Sequence, residues 1–205
     1  MNGHAYGLAS FALRWHHDRS TWAFIGLRFI PALVAFNLVW ETAHLPLYTL
    51  WEEGTARSIA FAVFHCTLGD MLIGVFALLG ALVVTGAGHL CKWRWLRVSA
   101  LTVLFGVGYT AFSEWIHTSV TQSWEYSSQM PIVPVVKLGL SPLLQWIAVP
   151  IAAIWLAHRS NLWPRRKCRD TQGSVTSASA DASSLAKSCS DIGFMNKRKK
   201  KNDTD

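Results

Sequence analysis

Charge is what this sequence has least of. Asp, Glu, Lys and Arg together make up 15% of its 205 residues, against roughly 25% in ordinary soluble domains. Acidic residues are the scarcer sign, 12 against 19 basic. The shortage is uneven. Positions 22–157 hold 12 charges: Arg28, Glu41, Glu52, Glu53, Arg57, Asp70, Lys92, Arg94, Arg97, Glu114, Glu125 and Lys137. Positions 158–205 hold 16, and their 11 basic against 5 acidic residues account for +6 of the net +7. Two kinds of polypeptide are joined end to end. A water-soluble enzyme, a secreted disulfide scaffold and a globular basic nucleic-acid-binding domain are all excluded by this pattern.

Other absences narrow the reading further. The sequence has no Gly-rich phosphate loop, no pair of CxxC motifs, no CxxCH motif for covalent haem and no internal repeat. Its four cysteines are Cys66, inside an apolar stretch, and Cys91, Cys168 and Cys189, all on the side assigned below to the cytoplasm, so no disulfide framework is expected.

What the sequence has instead is long apolar runs. A bilayer core about 30 Å thick needs about 20 apolar helical residues to cross it. Four stretches qualify, at about 22–44, 58–85, 98–117 and 140–158. The expected fold is therefore all-α: a four-helix transmembrane bundle over 22–158, preceded by a short segment, 1–21, and followed by a basic tail, 159–205. The tail is Ser-, Ala- and charge-rich and ends in the basic run Lys197 to Lys201. With no apolar periodicity to bury, it is expected to be disordered. The first span is too long for a cleavable signal peptide and contains Arg28.

Lys and Arg are retained on the cytoplasmic side of membrane proteins. Arg14, Arg19, Lys92, Arg94, Arg97, Arg159, Arg165, Arg166, Lys167 and Arg169 fall on one side of the four-span alternation, and only Arg57 and Lys137 on the other. This predicts both termini in the cytoplasm, with 45–57 and 118–139 outside. Trp22, Trp40, Trp51, Trp93, Trp95, Trp115, Trp124, Trp155 and Trp163 sit near span ends, where indole rings favour the headgroup level. The basic tail should attract anionic lipid, and a nucleic-acid partner is not expected. Homo-oligomerisation or docking with another membrane protein is left open.

Ionisable residues inside a bilayer are expensive, about 2.5–3.5 kcal/mol each at mid-membrane on insertion scales, and mark candidate sites. Asn37, Glu41 and His44 end the first span on one helical stripe, and Thr110, Ser113, Glu114 and His117 end the third in the same way. His65 lies in the outer half of the second span, and Ser141 and Gln145 begin the fourth. Polar groups from all four helices thus fall at one level, the outer leaflet, with Asp70 deeper. Glu41 with His44 and Glu114 with His117 are two Glu-x-x-His pairs, whose i, i+3 spacing lets a carboxylate and an imidazole share one ion. The other two spans offer His65, Asp70 and Gln145 rather than two further glutamates, so a di-iron site is incomplete. Glu41, His44, His65, Glu114 and His117 form a candidate mononuclear site for zinc, copper or iron, or a bis-histidine site for haem b. Asp70 and Gln145 are candidates for a proton or substrate path. Structural hydrogen bonding among the same residues is the competing reading, and no reaction follows from either.

The motifs Trp40-Glu41-x-x-His44-Leu45-Pro46-Leu47-Tyr48, His65-Cys66-Thr67-Leu68-Gly69-Asp70 and Gly139-Leu140-Ser141-Pro142-Leu143-Leu144-Gln145-Trp146 are similar to those of a group of small, uncharacterised bacterial multi-pass membrane proteins. The resemblance covers the four-span core and not the tail. It implies a bacterial inner-membrane location and carries no activity. Three functions therefore stand at this stage: a periplasmic-end metal or haem site, a small proton-coupled carrier, and a non-catalytic assembly or interaction protein.

Overall fold

The computed structural model describes residues 15–121 and 124–159. The expected tail, apart from Arg159, and most of the segment 1–21 lie outside the described residues. Among the described residues, four helices are long and apolar enough to cross a membrane: α1, Arg19–Leu47; α2, Ala56–Val84; α3, Trp95–Val120; and α4, Leu140–Arg159. Each includes the run expected for it, apart from Thr85, and none extends past it by as much as one turn at either end.

Local chemistry explains the ends. Asp18 caps α1, its carboxylate accepting from the Ser20 N–H at 3.0 Å and the Thr21 hydroxyl at 3.2 Å. The same carboxylate accepts from the Leu90 N–H at 3.0 Å, so one side chain ties the start of α1 to the α2–α3 connection. Burial pushes this carboxyl up, but the Leu90 and Ser20 hydrogen bonds, helped by His89, outweigh it and hold it below the usual carboxylate range. Pro31 has no N–H to give the preceding turn, and α1 passes through a π-helical turn, Ile25–Phe29, just before it. Pro46 falls in the 3-10 turn Leu45–Leu47 that closes α1. The Thr55 hydroxyl caps α2 by accepting from the Ser58 N–H at 3.2 Å. At the far end of α2, Gly86 takes φ +59°. The Ala87 N–H then reaches back to the Leu82 carbonyl at 2.9 Å and the Gly86 N–H to Val83 at 3.1 Å, a Schellman closure that needs the left-handed residue.

Each long helix packs against its neighbour in sequence, and α4 closes the ring on α1, an up-down-up-down bundle. One end of the interior is apolar: Phe24, Phe29 and Leu33 from α1, Leu78 and Leu82 from α2, Val98 from α3 and Ala153, Ile154 and Ala157 from α4 are buried. Outward-facing positions carry large apolar side chains such as Leu27, Phe61, Phe76 and Leu104, as lipid-facing surfaces require. The helices approach closely where a side chain is missing. The Trp146 ring of α4 packs against Gly106 of α3, and Leu33 of α1 against Gly74 of α2.

One detail differs from expectation. The connection 121–139 carries a small antiparallel ribbon, β1 (Ile132–Val133) with β2 (Leu138–Gly139), so the described chain is not wholly α. A further bridge pairs Tyr48 with Tyr126 and fastens this connection to the end of α1. Among the described residues, Cys66 is free.

The two glycines of α3 separate packing from propensity. A Cβ at Gly106 collides with the Trp146 ring, whereas one at Gly108 meets nothing within 4 Å. Gly106→Ala is expected to destabilise the detergent-solubilised protein by about 1–3 kcal/mol. Gly108→Ala should be neutral or slightly stabilising. Thermal unfolding of the two variants side by side checks this, and equal midpoints would refute the close α3–α4 contact.

Candidate functional site

The other end of the bundle is polar inside. Asn37, Glu41 and His44 of α1, Thr67 of α2, Thr110 and Glu114 of α3 and Ser141 and Gln145 of α4 are all buried, and Asp70 of α2 is half-buried beside them. Helical periodicity explains the selection. Asn37, Glu41 and His44 form one stripe of α1, Thr67 and Asp70 one of α2, Thr110 and Glu114 one of α3, and Ser141 and Gln145 one of α4. Each stripe faces the bundle axis.

The Gln145 amide is the junction. Its Nε2 lies 3.0 Å from Asn37 Oδ1, 2.9 Å from Glu41 Oε1 and 2.7 Å from Asp70 Oδ2, so α4 is bonded at one atom to α1 and to α2. The amide must present its nitrogen here, because its oxygen would face two carboxylates. That nitrogen carries two hydrogens and meets three acceptors, one more than it can serve with full bonds. From Glu41 the connection continues outward. Its Oε2 is 3.2 Å from His44 Nε2, and His44 Nδ1 is 3.0 Å from the Ser141 hydroxyl. The His44 ring meets Tyr48 edge-on at 5.5 Å, and Tyr48 lies 5.6 Å from the Tyr126 ring.

Glu114 is held separately. It accepts a hydrogen bond from the Tyr126 hydroxyl, and the Gly139 N–H donates to that same phenol oxygen at 3.1 Å. Burial raises the Tyr126 phenol above its ordinary value, and the hydrogen bond to Glu114 raises it further. Tyr48 is raised as well, by burial first and then by Glu114, Tyr126 and Glu41. Both phenols therefore keep their protons through the neutral range and can serve as donors. Two buried polar atoms near the Gln145 junction have no partner, Asn37 Nδ2 and the Thr67 hydroxyl.

The sequence-predicted set is divided by this geometry. Glu41 and His44 are bonded to each other, and Asp70 and Gln145 join them. Glu114 turns to Tyr126 instead. His65 is exposed and stacks on Phe61 one turn away, ring centres 5.5 Å apart. His117 stacks on Trp124 at 4.2 Å, with the Thr121 hydroxyl 3.4 Å from its Nδ1. Among the described residues, no three His, Cys, Asp or Glu side chains group closely enough to hold a metal ion. The 100° step of the helix explains His65: five residues before Asp70, it points about 140° away from it. Tyr126 and Tyr48 are the partners that span-based reasoning passes over. Their only signal in sequence is a hydroxyl-bearing aromatic in each outer connection.

Compared with known proteins, the chain matches no family model, no curated protein and no solved structure.

Removing the junction should cost more than removing either arm. Gln145→Leu strips Glu41, Asp70 and Asn37 of their shared donor and is expected to destabilise by about 3 kcal/mol, since it leaves buried acceptors unpaired. Adding Asp70→Asn should recover part of that loss, because the amide restores a donor. Denaturation in detergent measures both, and a Gln145→Leu variant as stable as the parent would remove Gln145 from the centre of the site.

Proposed function

We propose that the chain is a multi-pass inner-membrane protein whose bundle binds and passes a proton at its polar end, in the service of a small proton-coupled carrier. The observation that carries this reading is the Gln145 amide nitrogen held against Asn37, Glu41 and Asp70. Three acceptors around two amide hydrogens leave one donor missing, and a proton on the Glu41–Asp70 pair supplies it. Two carboxylates sharing one donor are an arrangement that favours holding a single proton between them. His44, bonded to Glu41 on one side and Ser141 on the other, is the group through which that proton reaches the Tyr48–Tyr126 end. Proton relays in membrane proteins use such chains of Asp, Glu and His.

Metal or haem binding is the second reading. What favours it is the Glu41–His44 pair on one face of α1, joined at 3.2 Å. It requires His65 and His117 to leave Phe61 and Trp124 and turn inward. Elemental analysis and an absorption spectrum of the purified protein separate the two. Stoichiometric metal or haem, lost in His44→Ala, would replace the proton reading.

The proton reading has a test that needs no substrate. A pH-difference infrared spectrum of the reconstituted protein should show a carboxyl band that titrates and disappears in Asp70→Asn or Glu41→Gln. Proton entry into proteoliposomes under an imposed potential, followed with a trapped pH dye, should fall at least several-fold in Asp70→Asn. A spectrum with no titrating carboxyl band overturns the proposal.

The positive-inside pattern supports both termini in the cytoplasm and the Glu41, His44 and Tyr126 end at the periplasm. The cationic end of the described bundle carries Arg19, Lys92, Arg94, Arg97 and Arg159, while Glu52, Glu53 and Glu125 lie at the other. A cysteine placed at Ser128 should react with a membrane-impermeant maleimide in intact spheroplasts, and one placed at Gly88 only after lysis. The opposite pattern would invert the orientation.

A further inference from the structure

Away from the polar cluster, a groove of about 640 Å³ opens between α3 and α4 at the end where α3 begins and α4 finishes. That volume is within the range of roughly 300–1,000 Å³ usual for small-molecule sites. Its lining includes the aliphatic side chains of Ala100, Val103 and Ile151 and the indoles of Trp95 and Trp155. From Trp95 to Val103 the groove follows eight residues of helix, about 12 Å at 1.5 Å per residue, from the helix end toward the middle of the bundle. Its mouth is different in kind. His158 lines it and meets Trp95 edge-on at 4.6 Å. The Arg159 guanidinium lies over the Trp155 ring, 5.0 Å from its centre. Arg94 and Arg97 are exposed at the same end of α3. At this end the acidic group among the described residues is Asp18, already committed to Ser20, Thr21 and Leu90.

An apolar slot that starts under a cationic rim at the end of a membrane-length helix pair matches one kind of molecule, with an anionic head and a hydrocarbon tail. We propose that this groove binds one anionic phospholipid, its acyl chain lying between Trp95 and Trp155 and its phosphate facing Arg159 and His158. A zwitterionic lipid would fill the slot equally well but would bring its own cation to the rim. The stacking of Arg159 on Trp155 fixes the guanidinium in place before the lipid arrives, so less side-chain freedom is lost on binding. The inference rests on the four helices crossing a bilayer and is independent of proton handling at the opposite end, so either can fail alone.

Native mass spectrometry of the full chain, delipidated in detergent and incubated with equal phosphatidylglycerol and phosphatidylcholine, tests the proposal. One phosphatidylglycerol per chain should be retained in preference to phosphatidylcholine. Arg159→Gln should lower that preference roughly five-fold, the equivalent of about 1 kcal/mol for one basic residue at the surface. Ala100→Phe, at an exposed position, should block the slot and lower retention of both lipids, and Val103→Phe serves as a second obstruction should the first disturb folding. Circular dichroism and monodispersity establish that each variant is folded. Folded obstruction variants that retain lipid as the parent does would place the lipid outside the groove. An unchanged phosphatidylglycerol preference in Arg159→Gln would remove the anionic head from the proposal.

Discussion

A bundle with an apolar exterior can hold carboxylates only where hydrogen-bond donors meet them inside, and here the Gln145 amide is where most of that demand falls. One nitrogen within 3.0 Å of Asn37, Glu41 and Asp70 joins three of the four helices. The remaining helix, α3, enters the cluster through Glu114, which is satisfied from outside the spans by Tyr126. The registers of α1, α2 and α4 at the polar end are thus set by what one side chain can reach. Apolar packing alone would tolerate many rotations of a helix that is greasy all round.

The opposite end works by different means. Phe24, Phe29, Leu33, Leu78 and Leu82 fill the axis, and contact is set by shape, with Leu33 against Gly74. Between membrane helices there is little hydrophobic drive for association, because lipid is as apolar as leucine, and close approach at small residues supplies dispersion energy instead. The bundle therefore combines a well-packed apolar end with a hydrogen-bonded polar end. Apart from Arg28, charge at its described surface lies toward the ends of the helices.

The connections matter more than their length suggests. Asp18 holds the α2–α3 turn to the start of α1, and the Tyr48–Tyr126 bridge holds the 121–139 connection to the end of α1. The second of these joins Tyr126, whose phenol bonds Glu114, to Tyr48, whose ring meets His44. It converts a loop into part of the site, which is a common outcome when connections must cross the mouth of a rigid scaffold.

The sequence by itself determined that four helices form, where they lie to within a few turns, and that polar residues from all four gather toward one end. Those properties depend on length, hydropathy and a 3.6-residue period, all of them local. Asp70 and Gln145 were legible as members of one site because charge and amide are rare within the spans. The sequence could not say which members of the Glu41, His44, His65, Glu114 and His117 set come together. His44 and His117 occupy equivalent places in two similar motifs, yet one is buried between Glu41 and Ser141 and the other lies against Trp124. That choice depends on helix rotation and on which loop folds over which helix end. Both are settled by contacts between residues as far apart as Asn37 and Gln145, for which no local pattern exists. Only the tertiary structure decided that the pairing runs through an amide and two tyrosines rather than through a ring of histidines.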